Sequence, residues 1–165
     1  MKKLFVIAIS AAAMVSCGTS KTYTINSKSG TQTQGTAKFT QKGSNVVMDL
    51  NAYELTPGVH AVHIHEKGDC SSADASSAGG HWNPTTENHG KWGMGEHHMG
   101  DIGNLIADNN GTGRILFKTD KWCMGCSDPN KNIYGKSIII HEKRDDFNTQ
   151  PTGNAGGRVG CVEIK

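Results

Sequence analysis

Aromatic side chains make up only 6% of the 165 residues, and proline occurs four times. Beyond the first fifteen or so positions there is no long apolar run, and no ten-residue stretch places apolar side chains at helical spacing. Helical bundles and coiled coils, which need such stripes, are excluded. A charge excess is missing as well: 17 Lys and Arg face 15 Asp and Glu, and Lys2 and Lys3 account for the difference. A near-neutral body without a basic stripe lacks the footprint that nucleic-acid binding requires, so no nucleic-acid partner is expected. At about 150 residues per domain the length fits a single domain, with no room for a separate cofactor-binding one. What the chain does have is 21 glycines, eight histidines and five cysteines, a turn-rich composition with an unusual supply of metal ligands.

The first residues read as an export signal. Met1-Lys2-Lys3 precedes the apolar run Leu4 to Val15, which is shorter than the ~20 residues a membrane span needs, and Val15-Ser16-Cys17-Gly18 closes it. That ending resembles a bacterial lipobox, with Met14 where such motifs usually carry Leu. The resemblance implies cleavage before Cys17 and lipid on its sulfur, hence a signal peptide over 1–16 and a periplasmic or outer-membrane-anchored lipoprotein. An ordinary signal peptide cut nearby, leaving Cys17 free or removed, is the alternative. Either route exports the body to a compartment where disulfides persist.

Residues 17–30 read as a polar tether running into a weak first strand, and 31–165 as the domain proper. Short segments with apolar side chains at every second position follow: Gly35 to Thr40, Val46 to Tyr53, Gly58 to Glu66, Gly103 to Ala107, Gly113 to Lys118, Lys136 to Glu142 and Arg158 to Ile164. With the first strand this predicts eight strands. Lys42-Gly43-Ser44-Asn45 and Asp108-Asn109-Asn110-Gly111 are hairpin-turn sequences. The expectation is an all-β Greek-key barrel or immunoglobulin-like sandwich. Two segments, 67–102 and 143–157, show no strand period and are long enough to be functional loops.

The first of these loops holds four of the histidines. Within Gly58 to Glu66, alternation puts His63 and His65 on one face and Val62 and Ile64 on the other. Two imidazoles side by side can chelate a metal. His60 shares parity with Val62 and Ile64, so it is expected inside the barrel as a hydrogen-bonded structural histidine. His81, His89, His98 and Asp101 have the spacing His-x7-His-x8-His-x2-Asp, a closed three-imidazole, one-carboxylate shell suited to structural zinc. His97 is read as a solvated neighbour. His63, His65 and His141 with one shared histidine would make a four-nitrogen tetragonal site, which is a copper geometry.

The blocks GVHAVHIHEKGD (58–69), GGHWNP (79–84), HMGDIGNL (98–105), GKSIIIHEKRDD (135–146) and QPTGNAGGRVGC (150–161) closely resemble the copper/zinc superoxide dismutase family. The resemblance implies one copper per subunit on His63, His65, His81 and His141, and one zinc on His81, His89, His98 and Asp101, with His81 bridging the two as an imidazolate. It implies that Asp145 hydrogen-bonds one copper histidine and one zinc histidine. It implies a catalytic Arg158 that draws in and orients the superoxide anion; without the GNAGGR match, Arg158 would read as a surface arginine. Lys67 and Lys91 are weaker candidates for steering the anion. The expected reaction is superoxide dismutation by Cu(II)/Cu(I) cycling, with His81 carrying a proton. The alternative is an exported copper-handling module without that activity.

The resemblance also implies a disulfide between Cys70 and Cys161. Cys123 and Cys126 are left for a local disulfide, with redox exchange or accessory copper binding as the alternative. The family contains monomers and homodimers, and both remain open. Membrane contact is expected only through the lipid.

Overall fold

The computed structural model describes residues 18–165; the expected signal segment and Cys17 lie outside the described residues. Nine strands make one nearly closed antiparallel sheet: β1 Thr19–Thr24, β2 Asn26–Ser27, β3 Gln34–Lys42, β4 Asn45–Tyr53, β5 Gly58–His65, β6 Asp101–Ala107, β7 Gly113–Thr119, β8 Lys136–His141 and β9 Arg158–Ile164. Their order is β1-β3-β4-β7-β6-β5-β8-β9-β2. Among the described residues the only helix is a single 3-10 turn at Ser76–Ala78. No described helix is long and apolar enough to cross a membrane.

The all-β expectation is met, with one difference in count. The expected weak first strand is two elements, and regular structure begins at Thr19, where a tether was expected. β1 pairs with β3 and β2 with β9, so the segment changes partner at Ile25 and draws the two edges of the sheet together. Ile25 is buried and donates its N–H to the Gly35 carbonyl at 3.0 Å, which anchors the switch in the core. The neighbours β8-β5-β6-β7 form a Greek key: three successive strands with a fourth returning beside the first.

Both expected hairpin turns are present. Lys42 pairs with Asn45 across Gly43-Ser44, and Asp108 Oδ1 accepts N–H bonds from Asn110 and Thr112, each at 2.9 Å. In β3 and β4 alternation decides burial, with Ala37, Phe39, Val46, Met48, Leu50 and Ala52 inside and their neighbours facing out. β5 and β8 are buried on both faces. Val62, Ile64, Ile138 and Ile140 fill the barrel, while Ile139 packs outside it with Cys70, Ala75, Ala78 and Cys161. The loops 66–100 and 142–157 cover that outer face, and under them lie the histidines.

Candidate metal centre

His63 and His65 project from the outer face of β5, as the two-residue period requires. His81 reaches them because loop 66–100 folds back onto β5. The Trp82 N–H donates to the Ile64 carbonyl at 2.8 Å, the Ile64 N–H to the Gly100 carbonyl at 2.9 Å, and His65 forms a bridge with His81. A Cβ at Gly100 would collide with the Ile64 carbonyl oxygen, so only glycine allows this approach. Irregularities in the ladder occur at His63 and His141, where a bulge re-aims a side chain.

Two groups result, with ligand atoms all within 4.8 Å of one another: His63, His65, His81 and His141, and His81, His89, His98 and Asp101. All seven residues are buried. The structure thus brings together every expected ligand, with His81 in both groups.

The hydrogen bonds show which atoms are committed. His63 Nε2 contacts Asp145 Oδ2 at 2.9 Å, His65 Nδ1 donates to the Gly79 carbonyl at 2.9 Å, and His81 Nδ1 lies 2.9 Å from Asp101 Oδ1. His89 Nε2 lies 2.9 Å from Asp145 Oδ1, so Asp145 joins one histidine of each group. Among the described residues, the buried side-chain atoms left without a partner are His63 Nδ1, His65 Nε2, His81 Nε2, His89 Nδ1 and His141 Nε2. Leaving a buried polar atom unpaired costs about 1–3 kcal/mol, and five in one place require an explanation. A metal ion supplies it. His89 Nδ1 is 3.0 Å from Asp101 Oδ2 without hydrogen-bond alignment, as fits two donors to one cation. His98 Nδ1 is 3.3 Å from Asp101 Oδ1 and from His81 Nδ1.

Apart from His89, where burial opposes charge but Asp101 and Asp145 prevail and raise the pKa to about 9, the electrostatics favour ligand-ready forms. Burial, then the neighbouring His81 and His141, hold His65 well below its ordinary pKa, and burial with His63 and His81 does the same to His141. Burial brings His81 down to about 4 despite its bond to Asp101. Burial alone would raise the carboxyls of Asp101 and Asp145. The bond from His81 and the nearby His89 and His98 rings hold Asp101 far below its usual range, and bonds from His63 and His89 do so for Asp145. Both are anions, as a cation site requires.

Arg158 is half-buried and donates from Nη1 to the Ala75 carbonyl at 2.6 Å and from Nη2 to the Gly79 carbonyl at 2.8 Å. The Gly79 carbonyl also accepts from His65, so Arg158 is tied to the histidine cluster through one oxygen. His60 is buried inside the barrel as expected, its Nδ1 2.7 Å from the His141 carbonyl and its Nε2 2.8 Å from the Thr56 carbonyl. His97 belongs to neither group and stacks on Trp92 at 4.5 Å. Lys91 lies over the Phe147 ring. The disulfides Cys70–Cys161 and Cys123–Cys126 are both formed.

Sequence reasoning missed two amides. Asn104 Nδ2 donates to the Asp145 carbonyl at 3.0 Å and its Oδ1 accepts the Asp145 N–H at 2.8 Å. Gln150 Nε2 donates to the His89 carbonyl at 2.9 Å and its Oε1 accepts the His89 N–H at 2.9 Å. The GDIGN and TQP contexts gave no local signal for either, because a polar Asn on a strand and a Gln in a loop are ordinarily solvated.

Comparison with known proteins agrees with this geometry. Residues 33–164 match the family described as copper/zinc superoxide dismutase. An extracellular Cu-Zn superoxide dismutase of Caenorhabditis elegans is 36% identical over 81% of the chain, which spans 62% of that enzyme's length. Cu-Zn superoxide dismutases of Aquifex aeolicus and Caulobacter vibrioides are 34% and 36% identical, each over 79% of the chain and 78% of their own length. A crystallised double mutant of a SOD-like protein from Bacillus subtilis superposes with a TM-score of 0.76 at 31% identity, covering 87% of this chain and 97% of that one. The match runs through the barrel and through both loops that cover the histidines, and the chain belongs to the copper/zinc superoxide dismutase family, oxidoreductases that bind copper and zinc and dismutate superoxide.

Proposed function

We propose that this chain performs the dismutation with copper held by His63 Nδ1, His65 Nε2, His81 Nε2 and His141 Nε2, and zinc held by His81, His89 and His98 through Nδ1 and by the Asp101 carboxylate. The observation that carries this reading is the set of five buried, unpartnered imidazole nitrogens, all of them on these ligands. Four imidazoles suit copper, and a closed shell of three imidazoles and a carboxylate suits structural zinc. When bound, copper supplies the one-electron couple through which one superoxide is oxidised to dioxygen and a second, with two protons, is reduced to hydrogen peroxide.

The protein's own groups bind, orient and protonate. Arg158 spends two N–H groups on loop carbonyls and keeps the rest of its fork for an anion. With the body near neutrality, that local cation is the main attraction for superoxide. His81 Nδ1 is committed to the Asp101 side, so Nε2 is the atom able to take up and release a proton beside the substrate. Asp145 fixes the ring orientations of His63 and His89 through their Nε2 atoms, as carboxylates behind metal-bound histidines do.

Around this centre we place an exported protein with a signal peptide over 1–16, lipid on Cys17 and the domain over 31–165, as a monomer or a homodimer, in the periplasm or anchored to the outer membrane. The nematode relative is extracellular by name, which supports export. The function is tested by assaying the copper- and zinc-loaded protein beside His141→Ala, with metal content measured on both. Rapid turnover that the variant loses together with its copper is expected. Full copper and zinc occupancy without turnover in the parent would overturn the reading.

A further inference from the structure

The zinc ligand His89 is held at three points. Its ring lies between the Asp101 and Asp145 carboxylates, at 3.0 Å on the Nδ1 side and 2.9 Å on the Nε2 side. Its main chain is gripped by Gln150, whose amide satisfies both the N–H and the carbonyl of that one residue at 2.9 Å. Gln150 belongs to loop 142–157, five residues beyond Asp145, so the chain leaves the carboxylate that bonds the His89 ring and returns to bond the His89 backbone. The turn that carries Gln150, residues 146–153, is closed by the Gly153 N–H on the Thr149 carbonyl at 2.7 Å and the Asp146 N–H on the Gly153 carbonyl at 3.0 Å. It rests directly on the His89–Asp145 contact. A Cβ at Gly153 would collide with Asp145 Oδ1 and lie 2.6 Å from His89 Nε2.

Resting on the zinc assignment above, we infer that Gln150 is a positioning residue for the zinc half of the centre, fixing the height and direction of His89 without touching a metal. No other described side chain pairs with both main-chain groups of a ligand histidine. The device links the two loops: the amide holds the backbone of the residue whose ring would bind zinc. The proposed copper ligands lie on β5, on β8 and at His81, none of them hydrogen-bonded to Gln150. The effect is therefore selective for zinc.

The test is zinc affinity by chelator competition on the protein with Gln150→Ala and Gln150→Glu, alongside copper affinity, metal-free melting temperature and the visible absorption of cobalt(II) in the zinc position. Gln150→Ala is expected to weaken zinc about tenfold, the low end for partners behind a ligand, because Gln150 is solvent-exposed and water replaces part of its grip. Gln150→Glu keeps the acceptor for the His89 N–H and loses the donor, so it should fall between. The cobalt spectrum should change in both, with copper affinity within about twofold of the parent and the metal-free melting temperature unchanged. Unchanged zinc affinity and cobalt spectrum would overturn the inference. A parallel fall of zinc affinity, copper affinity and metal-free stability would also overturn it, by showing a general structural role. A parent protein that takes up no zinc would overturn the metal assignment and the inference with it.

Discussion

The two walls of the barrel are held by different forces. In β3 and β4 one face is apolar and sealed and the other is more exposed, with Phe39, Met48 and Leu50 fully buried; burial of apolar area suffices there. The wall of β5, β8 and β9 carries a second buried layer outside the barrel, and its apolar share is small: Ile139, Ala75, Ala78 and the Cys70–Cys161 pair. The rest of that layer is imidazole and carboxylate. Loops so poor in apolar side chains are ordered by cross-links instead: a disulfide spanning 91 residues, amide grips on the backbones of Asp145 and His89, and ligand atoms set for metals. Both walls share the apolar core of the barrel, and the second adds the layer that carries the chemistry.

Breaking the shared ligand should separate the walls most clearly. His81→Ala removes a donor from both sites and is expected to lower dismutation by 100-fold or more, since a ligand matters more than the partners behind it, whose loss costs about 10–100-fold in affinity or activity. Hydrogen exchange in the variant should show loops 66–100 and 142–157 opening while β3, β4 and β7 stay protected. Protection lost uniformly would erase the distinction.

The converse cut is Phe39→Ala, expected to cost about 3–5 kcal/mol of stability in denaturant titration while metal content is kept. Cys70→Ser is expected to cost up to about 4–5 kcal/mol in the chain-entropy model, less where bound metals already restrain the loop. It should act differently, raising the rate of metal loss to a chelator. Arg158→Ala is a smaller change: turnover should fall about tenfold at low salt with metal content kept. Unchanged low-salt turnover would remove Arg158 from the substrate's path.

The subtlest effect is one of pH. In the metal-free protein burial opposes charge on His89, but Asp101 and Asp145 prevail and raise it to about 9. A folded pKa above the unfolded value of about 6.5 gives stabilisation that is complete below that value and lost as pH rises through about 9. Metal-free loops should therefore loosen between those limits. Zinc binding at pH 7 should expel a proton from His89, an amount that vanishes above about pH 9; calorimetry in buffers of different ionisation enthalpy measures it.

Much of this was legible in the sequence because it depends on local periods. The two-residue alternation of β5 separates His63 and His65 from Val62 and Ile64 and places His60 inside, and turn residues mark the hairpins. The grouping of His63, His65, His81 and His141, and of His81, His89, His98 and Asp101, was legible through spacing and resemblance to a family. The split of the first strand at Ile25 was not, because closing a seam is decided by the opposite edge of the sheet and leaves little trace in a polar segment. Nor were the grips of Asn104 and Gln150, whose partners are backbone groups 41 and 61 residues away. The bridge between His65 and His81 depends on Gly100, one glycine among many until the close approach is seen.

The central claim is that one buried cluster holds two different metals through a shared histidine. Anomalous diffraction at the copper and zinc edges from crystals of the loaded protein tests it most directly. The account predicts a copper peak among His63 Nδ1, His65 Nε2, His81 Nε2 and His141 Nε2, and a separate zinc peak among His81 Nδ1, His89, His98 and Asp101. A single peak, or both metals scattered over both positions, would contradict it.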